Sequence, residues 1–315
     1  MGAYTIKKLG QTVITLFAVV TLVFFSLRLI PGDAASAIAG DSLSASQMQA
    51  LRAKLGLDRP VWVQYTDYLG KTVRLELGNT LTTDLSIKGL LLRALPITVV
   101  TALCTVIISI LIAIPLGTLA AFMANKGRRK IDNLLTGSAI VIDLMPYFWT
   151  ALLFMLIFSL WLRWLPAVGP LHFAQPLMFI KRLALSIMVL SLGQIAGLTR
   201  ITRTAVLEVL NEDYVKTARA LGTPELRVIF RHALRNAALP IITVIGIGFG
   251  HLLNGTVITE IIFAIPGMGT LLINGINGRD YPLVQNVILV YAFLFILVNV
   301  ITDLIYKKLD ARVQF

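Results

Sequence analysis

Apolar and polar positions do not alternate at short range in this chain; they separate into long blocks. Six apolar runs stand out: Leu9–Ile30, Leu95–Phe122, Leu134–Leu160, Leu183–Leu198, Ala237–Ile262 and Leu283–Ile305. A helix rises about 1.5 Å per residue, so about 20 apolar residues cross a hydrocarbon core of about 30 Å. The pattern therefore predicts an all-α membrane protein with six transmembrane helices. The fourth run is short and is expected to extend back toward Phe179. Pro115-Leu116-Gly117 predicts a kink in the second span. Gly246, Gly248, Gly250 and Gly255 predict a small-residue face on the fifth.

The first run follows Lys7 and Lys8, and Ala35-Ser36-Ala37 imitates a signal-peptide cleavage site. A signal h-region spans only about 7–15 residues, however, so the run reads as an uncleaved first helix. The chain then divides into an N-terminal segment with the first helix (1–30), an extracytoplasmic loop (31–94) and a five-helix core (95–315). Within the loop, Ser44 to Leu55 is expected to form a short helix ending at Gly56. Gly70-Lys71-Thr72 resembles the end of a phosphate-binding loop, but Tyr65 stands where the motif needs its first glycine. No ATP site is expected there.

The most informative polar block runs from 199 to 236. Asn211 is placed to cap one short helix, with Glu212 and Asp213 in its first turn. Tyr214, Ala218 and Leu221 recur at i, i+4 and i+7 as a narrow apolar stripe, while Lys216 and Arg219 point elsewhere. Gly222 is a helix stop, Thr223 a cap for a second helix, and Pro224 its first residue. Arg227, Arg231 and Arg235 then repeat every four residues. Two short helices meeting at a glycine make a knuckle that can enter a partner's groove.

Composition agrees with the block pattern: of 315 residues, 57% are hydrophobic and 14% charged, and the mean hydropathy is +0.83. A net charge of +12 raises nucleic acid as a partner. The basic residues sit between apolar runs rather than in one stripe, so they report membrane topology and no nucleic acid is expected. Segment 123–133 carries Lys126, Arg128, Arg129 and Lys130 against Asp132; segment 199–236 carries seven basic residues, and 263–282 only Arg279. Both termini are thereby expected in the cytoplasm. Trp161, Trp164 and Tyr147 are expected in an interfacial aromatic belt. Cys104 is the only cysteine, which excludes an intrachain disulfide and leaves a small packing residue.

Polar residues inside the spans are the candidate path. Asp143, three residues before Pro146, either lines a path or satisfies backbone freed by the proline; both readings stand. His251 and Asn254 lie one turn apart on one face, but a lone histidine supplies one ligand where a metal needs several, so no metal site is expected. Glu260, Phe263, Pro266, Gly267 and Gly269 form E-x-x-F-x-x-P-G-x-G, read as a turn at the outer face and a candidate gate. No catalytic set is visible, and His172, His232 and His251 fall in different segments.

Ala218, three residues and Gly222 resemble the EAA loop of binding-protein-dependent ABC importer permeases. Lys216 and Thr217 stand where the loop's name has Glu and Ala, and His232-Ala233-Leu234-Arg235 where I-x-L-P is expected. DYVKTARALG with RHALRN, LGLDRPVWVQY, EIIFAIPGMG and DLIYKKLDARV resemble the dipeptide, oligopeptide and nickel permease branch over nearly the whole chain. The resemblance implies a multi-pass bacterial inner-membrane subunit that moves peptides, or nickel and other metal chelates. It also implies a second homologous permease, two cytoplasmic ATPase subunits that hold ATP and Mg, and an extracytoplasmic substrate-binding protein, with none of these cofactors on this chain. Tyr214, Ala218, Arg219, Ala220, Leu221, Gly222, Thr223 and Pro224 would then carry the ATPase coupling. The rival readings are an ion-gradient-driven secondary transporter of small solutes, expected to have broken helices around a midplane site, and an intramembrane enzyme, which the missing catalytic set disfavours.

Overall fold

Apolar blocks this long leave the backbone no hydrogen-bond partners but its own, and the chain answers with helices. The computed structural model describes residues 2–29, 35, 45–54, 56–171 and 173–309, and among these no β-strand occurs. In order, the helices are α1 (Gly2–Leu29), α2 (Ala45–Lys54), α3 (Val61–Val73), α4 (Ile87–Asn125), α5 (Arg129–Asp143) and α6 (Tyr147–Trp161). There follow α7 (Pro176–Leu210), α8 (Asp213–Ala220), α9 (225–236), α10 (Ala238–Ile262), α11 (Met268–Asn277) and α12 (Tyr281–Leu309). Stretches Met155–Trp161 of α6 and Val228–Ala233 of α9 are wound as π-helix.

Five of these helices are long and apolar enough to cross a membrane, and a sixth span exists if α5 and α6 are counted together. The third predicted span is thus not one straight helix. Its halves meet at 99°, because Pro146 has no N–H to continue α5 and holds an extended backbone, φ −62° and ψ 139°. The second span runs as a single helix through both Pro96 and Pro115, starting eight residues before its predicted first residue. The fourth runs from Pro176 to Leu210, longer than its apolar core at both ends. The predicted loop helix is found as α2; Ser44 and Leu55 lie outside the described residues, as does His172, and Gly56 takes φ +69°. Gly70-Lys71-Thr72 lies inside α3, so its backbone is helical and no phosphate loop forms there.

The chain divides into two compact units, Met1–Thr98 with Pro266–Ile296 and Val99–Ile265 with Leu297–Phe315. In the first, Leu91, Ala94, Met268, Leu283 and Val287 pack around the buried Ile87. The Asp280 carboxylate, 1% exposed, accepts from the backbone N–H groups of Leu81 and Thr82 at 2.7 and 3.2 Å and from Leu283 N–H at 3.2 Å, so it caps α12 and pins the 81–82 turn at once. In the second, Ala113, Leu198, Val206, Leu210, Val215, Val228 and Ala233 share one buried cluster. Gly117 lets α4 touch α7: a Cβ there would fall 2.5 Å from the Thr199 carbonyl oxygen. The glycines of α10 do not form the one face expected of them: Gly248 and Gly255 pack against Gln194 and Leu190 of α7, whereas Gly246 meets Thr302 of α12.

Candidate functional site

The polar block at 211–236 folds as a knuckle, though its caps differ from the expected ones. Asn211 ends α7 rather than starting α8, and its side-chain oxygen accepts from Asn125 Nδ2 at 3.2 Å. Glu212 is the N-cap residue of α8 and makes no side-chain cap bond. Asp213, in the first turn, instead pairs with Lys216 at 2.9 Å, and that ammonium holds the Asp213 carboxyl below its ordinary value. At the other end the chain closes a Schellman motif: Gly222 N–H donates to Arg219 O at 2.9 Å and Thr223 N–H to Ala218 O at 3.1 Å. Gly222 sits at φ +79°, as a helix-stopping glycine should. Thr223 is not the next cap. Pro224 takes that position and brings no side-chain oxygen to it.

The expected apolar stripe of α8 does not face the core. Val215 does, fully buried with Val228, Ala233 and the inner faces of α4, α7 and α10. Tyr214 and Leu221 are exposed, Ala220 and Gly222 are exposed, and Ala218 and Thr223 are half-buried. Leu226 and Phe230, which the sequence reading did not single out, join them at 70% and 64% exposure. Arg219 reaches across the turn to Glu225 at 2.8 Å, and Asn236 Nδ2 donates to the Tyr214 hydroxyl at 2.6 Å. The knuckle is therefore anchored on one side and apolar on the other. Arg227, Arg231 and Arg235 are all exposed around it.

In the same unit, a cavity of about 630 Å³ gathers residues from four elements: Asp143 at the end of α5, Tyr147 and Thr150 on α6, Gln194 on α7 and His251 on α10. The α5–α6 bend makes this possible by taking Asp143 out of the middle of a straight span. Asp143 pairs with Arg200 at 2.6 Å, both about two-fifths exposed, so neither expected role for it is excluded by burial. The Tyr147 hydroxyl lies against Gly193, on the cavity wall. Gln194 Nε2 donates to the Gly248 carbonyl at 2.7 Å.

The remaining candidates lie elsewhere. Asn254 is exposed on α10 outside the cavity, and Glu260 and Phe263 are buried near the end of that helix. The turn predicted at the proline–glycine motif is present, but its left-handed residue is Ala264, φ +49°, not a glycine. Ile265 N–H closes it on the Glu260 carbonyl at 2.8 Å. Arg182, 3% exposed, holds the turn by donating to the carbonyls of Phe263 and Ala264 and of Ala167 and Gly169. Sequence reasoning missed it because Arg182 sits where a span boundary was expected, and a boundary arginine reads as a topology marker. Asp132 was misjudged likewise: it is 5% exposed and forms a two-pronged pair with Arg203, joining α5 to α7.

Comparisons with known proteins extend this geometry. Residues 113–315 match the family model described as binding-protein-dependent transport system inner membrane component, and residues 1–102 match the model for the N-terminal part of such components. A di/tripeptide transport system permease protein of Pseudomonas aeruginosa is 37% identical over 336 residues, covering 100% of this chain and 99% of that protein. A Brucella abortus protein named as a peptide transport system permease is 36% identical over 316 residues, covering 100% of each. An inward-facing crystal form of the MetNI methionine ABC transporter superposes at TM-score 0.59 with 15% identity, over 71% of this chain and 97% of that one. At that identity the likeness shows the fold.

Proposed function

The chain belongs to the family of binding-protein-dependent transport system inner membrane components, and from that premise we propose that it is the translocating subunit of an ATP-driven importer of short peptides. The names of its relatives favour peptides over nickel or metal chelates. Both termini lie in the cytoplasm, in keeping with the basic residues of 123–133 and 199–236. A second homologous permease completes the path, two cytoplasmic ATPases hold ATP and Mg, and an extracytoplasmic binding protein delivers the substrate.

The observation that carries the coupling role is the two-sided knuckle. Val215, Val228 and Ala233 anchor it in the core cluster, so a push on it moves α7 and α10 with it. Leu221, Leu226 and Phe230 stand outward, apolar and uncovered, as a surface destined for a partner's groove does. Closure of the ATPases would then rotate the attached spans around the cavity of Asp143, Tyr147, Gln194 and His251. The broken α5–α6 pair would also suit an ion-driven transporter, but family membership outweighs that feature.

The test is Gly222→Asp in the complete importer, reconstituted in vesicles. A side chain at φ +79° costs about 1 kcal/mol or more, too little to prevent insertion, while the charge enters the contact. Uptake and substrate-stimulated ATP hydrolysis are expected to be lost, and Ala218→Glu to behave alike. Normal stimulation would reduce the knuckle to a connector. For the cavity, Asp143→Asn is expected to assemble normally and change uptake or substrate preference. Failed assembly, with normal transport by the fraction that survives, would make the carboxylate structural.

A further inference from the structure

A second cavity, of about 420 Å³, lies within the unit built from residues 1–98 and 266–296. Its wall includes Phe24 and Arg28 at the end of α1, Tyr68 and Lys71 on α3, Glu76, and Gln285 on the first turns of α12. That volume falls within the range of about 300–1,000 Å³ usual for small-molecule sites.

The polar groups around it divide into those with partners and those without. Gln64 is used fully: its Oε1 accepts from Arg28 Nη2 at 2.8 Å, and its Nε2 donates to the carbonyls of Leu57 and Arg59. Asn286 Nδ2 donates to Leu77 and Pro282 carbonyls. The Thr72 hydroxyl beside Tyr68 donates to the Tyr68 backbone carbonyl at 2.8 Å. Left without a hydrogen-bond partner are the buried Tyr68 Oη and Gln285 Nε2, the latter on a side chain belonging to a residue only 5% exposed.

Arg28 stands among them. Its guanidinium carbon lies 3.4 Å over the Phe24 ring, on which Tyr68 also stacks at 5.7 Å, and 5.9 Å from the Tyr281 ring one turn before Gln285. Its acceptors are the Gln64 side chain and the Phe24 carbonyl, both neutral. Arg59 and Asp67 pair with each other at 3.2 Å, so the charges left on the wall are Arg28 and Lys71 against Glu76. A buried donor without an acceptor costs free energy, and a planar anion answers both needs at once.

We propose that this cavity is a carboxylate-binding site for the C-terminal end of a short peptide, with Arg28, Tyr68 and Gln285 as the donors. The peptide as bearer rests on the importer reading above; the carboxylate rests on the donors alone. The purified full chain in detergent should bind dialanine by calorimetry, with the C-terminal amide of dialanine about tenfold weaker or more. Inorganic phosphate should compete weakly; tighter binding of phosphate than of dialanine would overturn the assignment in favour of a phosphate-bearing ligand. Gln285→Leu and Tyr68→Phe should each weaken dialanine about tenfold. Because they delete unpartnered groups, thermal unfolding without ligand should stay level or rise, which separates lost binding from lost folding. Equal affinity for acid and amide, or binding of neither, would overturn the proposal and leave a cavity holding water only. Uptake by the complete importer is measured separately: uptake without binding here sinks this inference alone, and binding without ATP-driven uptake of any peptide sinks the importer reading alone.

Discussion

Two polar interruptions of the apolar pattern fold by opposite means. At 211–236 the chain reverses at Gly222 and is held from behind by apolar side chains, Val215, Val228 and Ala233. Around 278–283 it reverses before α12 and is held by one buried carboxylate, Asp280, which satisfies the N–H groups of Leu81, Thr82 and Leu283. Apolar anchoring has no angular requirement and spends no polar group, so the outer face of the knuckle is left free to be apolar as well. Polar stitching fixes each N–H in direction and distance and makes a rigid corner with little to offer a partner. The contrast separates a surface for docking from a joint for holding.

The sharpest way to break that contrast is at the joint. Asp280→Ala strands buried N–H groups from two segments and should destabilise the chain by about 3–5 kcal/mol, seen as a large loss of folded protein in detergent thermal unfolding. A change within about 0.5 kcal/mol would mean that the 81–82 turn stands without its carboxylate. The knuckle should respond in the reverse sense. Leu226→Ser with Phe230→Ser removes exposed apolar surface, so the isolated chain should keep its stability within about 0.5 kcal/mol, while co-purification of the ATPases falls several-fold. Unchanged co-purification would show that those side chains face lipid or water in the assembly. The smallest effect is expected at Lys216→Ala. Its pair with Asp213 is exposed at 63% and 96% of the two side chains, and pairs of that kind contribute little. Uptake and stability should both remain near those of the parent chain, and a strong defect would place Lys216 in the coupling contact after all.

Much of the knuckle was legible because its signals are local. A glycine after a short helix predicts a left-handed stop, and Gly222 has φ +79°. Caps were less legible: Asn211, Thr223 and Pro224 were each assigned one position off, since several neighbouring residues can cap and the closing hydrogen bonds choose among them. Which face of α8 turns inward was not legible for a related reason. The stripe of Tyr214, Ala218 and Leu221 is as apolar as the face of Val215, and an apolar stripe does not say whether it meets this chain or another.

The sequence by itself determined the all-helical class, the membrane blocks, the knuckle and its glycine, and the want of a phosphate loop at Gly70–Thr72. These depend on composition over a window or on the chemistry of one or two residues. Only the tertiary structure decided that the third apolar block breaks at 99° before Tyr147, that Asp143 meets Arg200, and that Asp132, Arg182 and Asp280 are buried ties. A charged residue in a sequence carries no record of its partner. Residues 57, 71, 81 and 199 positions apart meet here only because the helices have already packed. Apolar patterning is summed along the chain, whereas a buried polar bond is a single long-range coincidence that the fold must first bring about.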